Sequence, residues 1–85
     1  MSNGVDSFDL EARKLAGLSA TERDIARLAC EGMTDRQIGE RLSMSPGSVG
    51  RDLGEVFRKL GISNRLELIV LCYRHRLVQS EVGSE

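Results

Sequence analysis

The stretch Ser45–Gly61, SPGSVGRDLGEVFRKLG, decides the fold. Ser45 is an N-cap residue, Pro46 suits the first helical position, and Gly61 can end the helix in a left-handed conformation. Between these signals lie about four helical turns. Val49, Leu53, Val56, Phe57 and Leu60 recur at spacings of three and four and make one apolar stripe. Gly47, Gly50, Arg51, Gly54 and Arg58 fall on or near the other side. One buried face and one small-plus-basic face describe a helix presented to a partner.

Upstream, Thr34-Asp35-Arg36-Gln37 is a capping box, in which the threonine takes an orphan amide and the glutamine reaches back to the cap. It opens a short helix with Ile38 and Leu42 inward, Arg36, Glu40 and Arg41 outward, and Gly39 where close packing needs it. Ser43-Met44-Ser45 links this helix to the next, which is the helix-turn-helix arrangement. Further back, Ser19-Ala20-Thr21-Glu22 is another capping box, Leu18 is placed to staple near Ile25, Leu28 and Ala29 continue the stripe with Cys30 at its edge, and Gly32 stops the helix. Residues 1–17 read as either a frayed tail or a short helix, with Phe8, Ala12 and Leu15 sharing a face if Ser7 caps it.

Downstream, Asn64 to Glu67 repeats the capping logic, and the last helix is expected from Arg65 to about Leu77. It is apolar almost all round. A surface helix needs one stripe, and an 85-residue chain has little depth in which to bury two. The core is expected to take Leu68, Ile69, Cys72 and Leu77, leaving Val70, Leu71 and Tyr73, with Arg74 beside them, as a face shared with another molecule. Residues 79–85 are expected to be a disordered tail.

Composition narrows the function classes. Formal net charge is −1, so nucleic-acid binding has to come from a local patch. Asp6, Asp9 and Glu11 lie in the first segment and Glu81 and Glu85 in the tail, while Arg58, Lys59, Arg65, Arg74 and Arg76 lie in the second half. No apolar run approaches the roughly 20 residues of a membrane span and no secretory pattern opens the chain, which places the protein in the cytoplasm. Cys30 and Cys72 lack metal-ligand spacing and read as reduced, small core residues. The single His75 reads as a surface side chain. With no carboxylate pair, phosphate loop or nucleophile motif, neither an enzyme nor a cofactor nor a metal is expected.

From Leu18 to Val78 the chain resembles the LuxR-type helix-turn-helix domain. The matching pieces are LSATER, ACEG, MTDRQIGERLSMS, SVGRDL, VFRKLGI and SNRLELI, in the family's order and spacing. The resemblance implies an all-α fold, a four-helix domain over residues 18–78 with a short extra helix possible in 1–17. It also implies binding to double-stranded DNA, and dimerisation through the last helix. In that case Ser45, Ser48 and the helix N-terminus contact phosphate, Arg51 reads a guanine edge, and Arg36, Arg58 and Lys59 hold the backbone, with Gly50 and Gly54 allowing close approach. The departures lie in the same helix: Gly50 stands where the family often has lysine and Asp52 where it often has histidine. Three bases, Arg51, Arg58 and Lys59, then face two acids, Asp52 and Glu55. These departures sustain an alternative: a LuxR-like module that pairs with another regulator, as a heterodimer, or with RNA polymerase. With no room for a sensory segment in 85 residues, the chain reads as a stand-alone regulator or as an excised fragment.

Overall fold

The computed structural model describes residues 7–76, and these form five helices and no strand: α1 (Ser7–Ala16), α2 (Ala20–Cys30), α3 (Asp35–Leu42), α4 (Pro46–Leu60) and α5 (Arg65–Arg74). The fold is therefore all-α. Of the two readings of residues 1–17, the helix is the one seen over Ser7–Ala16. The expected tail, 79–85, lies outside the described residues, as do Leu77 and Val78.

The caps work as their chemistry requires. Ser19 Oγ accepts from the Glu22 amide at 3.1 Å while the Ser19 amide donates to Glu22 Oε1 at 2.9 Å. Thr34 and Gln37 repeat the exchange at 3.1 and 2.9 Å. Each box satisfies two orphan donors that would otherwise be left to water. Ser45 Oγ accepts from the Ser48 amide at 3.1 Å, and Gly61 ends α4 in the left-handed region. At α5 the pattern differs from the expected box: Asn64 accepts from the Glu67 amide, but Glu67 reaches past it to the Ser63 amide at 2.7 Å.

α4 is the central element, packing on α3, α2 and α1, while α5 packs on α2. Val49, Leu53, Val56 and Leu60 of α4 bury against Ile25, Ala26, Leu28 and Ala29 of α2 and Ile38 of α3 in one continuous core. Leu15 and Leu18 add α1 and its exit turn to that core. Of the expected α1 face only Leu15 is buried, while Phe8 and Ala12 are exposed.

The turn between α3 and α4 sets their angle. Ser43 takes the left-handed conformation (φ 60°, ψ 46°) and the Met44 amide donates to Gly39 O at 2.8 Å. The chain thus folds back over Gly39, where a Cβ would come closer than 3.0 Å to the Met44 carbonyl oxygen. Only glycine leaves room for that return.

Three expectations at the C-terminal end are corrected. α5 ends at Arg74, with His75 as its cap and Arg76 at φ 57°, rather than running to Leu77. Leu71, expected on the shared face, is buried (6% exposed), because it lies three residues after Leu68 and falls on the side of α5 that carries Leu68 and Cys72. His75, expected at the surface, has a side chain only 6% exposed; its ring stacks on Phe8 at 4.1 Å and its Nε2 lies 2.9 Å from Glu11 Oε1. α1 supplies that cover, and its docking position was not encoded in local spacing.

Candidate nucleic-acid interface

On α4, Gly47, Arg51, Gly54 and Arg58 recur at intervals of four, three and four, directly opposite the buried Val49, Leu53, Val56 and Leu60, and all four are exposed. The outward ridge therefore alternates bare backbone with arginine. A Cβ at Gly47 or at Gly54 would meet nothing within 4 Å. Gly50 is different: it turns to the α3 flank, where a Cβ would lie 3.4 Å from Asp35 Oδ2, and it is half-buried. The pair of open glycines is thus Gly47 and Gly54, not the expected Gly50 and Gly54. Gly47 and Gly54 stand seven residues apart, as do Arg51 and Arg58, and it is the Asp35 carboxylate that sets Gly50 apart from them.

The basic side chains are unequally available. The Arg51 side chain is 74% exposed and has only a long contact, 3.8 Å, to its neighbour Asp52. Arg58 is held by Glu55, which accepts from its Nε and Nη2 at distances down to 2.7 Å. The fork of charged hydrogen bonds holds the Glu55 carboxyl below its usual range and raises the Arg58 guanidinium. Lys59 Nζ lies 2.8 Å from Glu22 Oε1, joining the last turn of α4 to the first turn of α2. Hydrogen bonding to Lys59 and to the Ser19 amide lowers the Glu22 pKa. Arg36, on the outer side of α3, is exposed with no ion-pair partner among the described residues.

At the α4 N-terminus Ser45 and Ser48 share a hydrogen bond between their hydroxyls at 3.0 Å and remain on the surface side of the helix start. Pro46 has no N–H and the Ser48 and Val49 amides are taken by Ser45, so the Gly47 amide and two hydroxyls form a short polar rim beside the ridge. Ser45, Ser48, Arg51, Gly54 and Arg58 are thus brought together on one helix, Arg36 stands on the neighbouring α3, and Lys59 is tied to α2.

A second exposed feature lies on α5. Leu66 (69% exposed), Val70 and Tyr73 recur at four and three and form one apolar stripe, with Arg74 at its edge paired to Glu11 at 3.4 Å. Leu66 takes the place on this stripe that the sequence assigns to Leu71. A groove lined by Glu11, Ile62, Leu66, Val70 and Arg74 runs alongside. Among the described residues no helix is long and apolar enough to cross a membrane.

The comparisons with known proteins bear on the same residues. The family model described as "Bacterial regulatory proteins, luxR family" matches residues 16–72, from the end of α1 through most of α5. The chain is 41% identical over 58 residues to the Mycobacterium bovis protein "Putative HTH-type transcriptional regulator Mb0914c", and to the same extent to "Putative HTH-type transcriptional regulator Rv0890c" of Mycobacterium tuberculosis. These matches cover 68% of this chain and 7% of each relative. It is 30% identical over 61 residues to "Putative HTH-type transcriptional regulator YhjB" of Escherichia coli, covering 72% of this chain and 30% of that protein. The chain thus spans a small part of the length of these relatives. The turn over Gly39, the capped α4 and the family match agree: this chain belongs to the luxR family of bacterial regulatory proteins.

Proposed function

We propose that the chain is a cytoplasmic, non-enzymatic transcriptional regulator that binds double-stranded DNA by setting α4 in the major groove, and that it does so as a homodimer through the outer stripe of α5. The observation that carries this reading is the Gly47–Arg51–Gly54–Arg58 ridge, which stands clear of the body of the domain. An α-helix fits the major groove, and arginine donates two parallel hydrogen bonds to the O6 and N7 of guanine. Arg51 takes that role. Ser45, Ser48 and the Gly47 amide at the helix N-terminus bind phosphate, and Arg36 does so from α3. Gly47 and Gly54 let the backbone come close along the ridge. Arg58 and Lys59 reach phosphate by exchanging Glu55 and Glu22 for it. The dimer joins Leu66, Val70 and Tyr73 of the two copies, with Arg74 at the rim, and Leu71 supports the stripe from beneath.

The test is selection from a pool of random duplexes, followed by titration of the winning sequence at several salt concentrations. Enrichment of a defined site is expected, with affinity falling as salt rises. Replacing Arg51→Ala should cost about 1–3 kcal/mol and relax selectivity at one base pair. No enrichment and no salt-dependent binding would sink the proposal.

One observation favours a second reading. Two of the three basic side chains of α4, Arg58 and Lys59, are already engaged by carboxylates. A module so balanced suits pairing with another regulator, as a heterodimer through α5, or contact with RNA polymerase. Purified protein that ignores DNA alone but shifts a promoter complex containing polymerase would favour it.

A further inference from the structure

We propose that Cys30 and Cys72 are a redox-responsive pair, which under an oxidising thiol–disulfide poise forms an internal disulfide tying the C-terminal end of α2 to α5. Both are free thiols, both are buried, and they come from helices that pack on one another. Cys30 is the last residue of α2, and its Sγ lies 3.6 Å from the carbonyl oxygen of Leu68, to which it donates. That carbonyl stands one helical turn before Cys72 and points along α5 toward the Cys72 amide. The Cys30 sulfur is therefore seated on the turn that carries Cys72.

The two thiols also act on each other. The neighbouring Cys72 thiol first, and burial second, push the Cys30 thiol above its ordinary range. What two thiols add at this seam is a bond that can form.

The oxidant is a small-molecule disulfide, of which oxidised glutathione is the example. One protein thiolate attacks it, forming a mixed disulfide and expelling one glutathione thiolate. The second protein sulfur then attacks the protein-side sulfur and expels the other. The two thiol protons end on the two released glutathiones. One disulfide is reduced and one is made, so electrons balance. The second step is unimolecular because the fold already holds the sulfurs together. The first needs an opening, and the place for it is the end of α2, where Cys30 is followed by exposed Glu31 and by Gly32 at φ 96°.

A disulfide stabilises the folded chain by as much as folding favours the disulfide, since the two processes share one thermodynamic cycle. The bond closes a loop of about 40 residues, which implies an equilibrium constant for disulfide formation about a hundredfold or more larger in the folded chain than in the unfolded one. The experiment equilibrates the full chain in glutathione buffers of graded composition, once in native solution and once in denaturing urea. It is then quenched in acid and weighed. Expected is a product lighter by two hydrogens, appearing in the native chain at ratios where the unfolded chain is still reduced, and melting at a higher temperature than the reduced protein. Cys30→Ala, checked for helix content by circular dichroism, should lose that product. An equal or smaller constant in the native chain, glutathione adducts alone, or intermolecular dimers would each overturn the proposal. The wild-type comparison decides the matter even if a cysteine variant fails to fold.

Discussion

At Gly39 an added methyl group would collide with the Met44 carbonyl, whereas at Gly54 it would enter open space. The same substitution should therefore act in opposite directions at two positions fifteen residues apart. Gly39→Ala forces the α3–α4 turn to move and should cost about 1–3 kcal/mol. That lowers the melting temperature by roughly 4–8 °C for each kcal/mol in a domain of this size. Gly54→Ala relieves a helix-interior glycine and should add about 0.5–1 kcal/mol. If the ridge faces DNA, Gly54→Leu should keep its stability and lose site-specific affinity. Thermal melts and duplex titrations read the two effects separately, and a leucine variant that binds like the wild type would remove Gly54 from the interface. Gly39 was legible in the sequence as a close-packing residue. The contrast between Gly50 and Gly54 was not, because it depends on where the Asp35 carboxylate lies.

Helix by helix, legibility tracks how local the cause is. Ser19 with Glu22, Thr34 with Gln37, and Ser45 with Pro46 and Gly61 set the starts and stops from within four residues, and α2, α3 and α4 are found where these signals place them. α5 was harder. Its apolar residues surround the axis, so no stripe told Leu66 from Leu71, and only the packing of Leu68 and Cys72 on α2 decides which side is inward. The Lys59–Glu22 contact joins residues 37 positions apart and leaves no pattern in the sequence. It does leave a pH signature. Glu22 titrates below its ordinary value of 4.5 in the folded chain, so its contribution is full above that value and disappears as pH falls through the folded pKa. For a pair at the domain surface this amounts to about 0.5–1 kcal/mol. Glu22→Gln keeps the cap and removes the charge. Its melting temperature should lie below that of the wild type at pH 7, and the two should converge as pH falls through the folded pKa of Glu22. A difference independent of pH would mean that the charge contributes nothing.

Across the whole molecule, α1 closes over the C-terminal end of α5 while the outer stripe of α5 beside it is left apolar. Phe8 and Glu11 cover His75, and Glu11 also reaches Arg74, beside the exposed stripe of Leu66, Val70 and Tyr73. The over-apolar last helix indicated such a face with Val70 and Tyr73 on it, but not that Leu66 rather than Leu71 completes it. If the face joins two copies, Val70→Asp should leave the fold intact, because Val70 is half-exposed, and should convert the dimer to monomer with loss of tight DNA binding. Sedimentation at high micromolar concentration checks this, and a wild-type protein that sediments as a monomer there would exclude the homodimer. The shared oxygen at Glu22 has a consequence of another kind. Oε1 accepts both the Ser19 amide and the Lys59 ammonium, so the first turn of α2 and the last turn of α4 are latched at one atom. When either turn frays, the other loses a partner. Solvent exchange of the Ser19 amide proton therefore reports on the far end of α4, making a single backbone hydrogen a gauge of how firmly the central helix is seated.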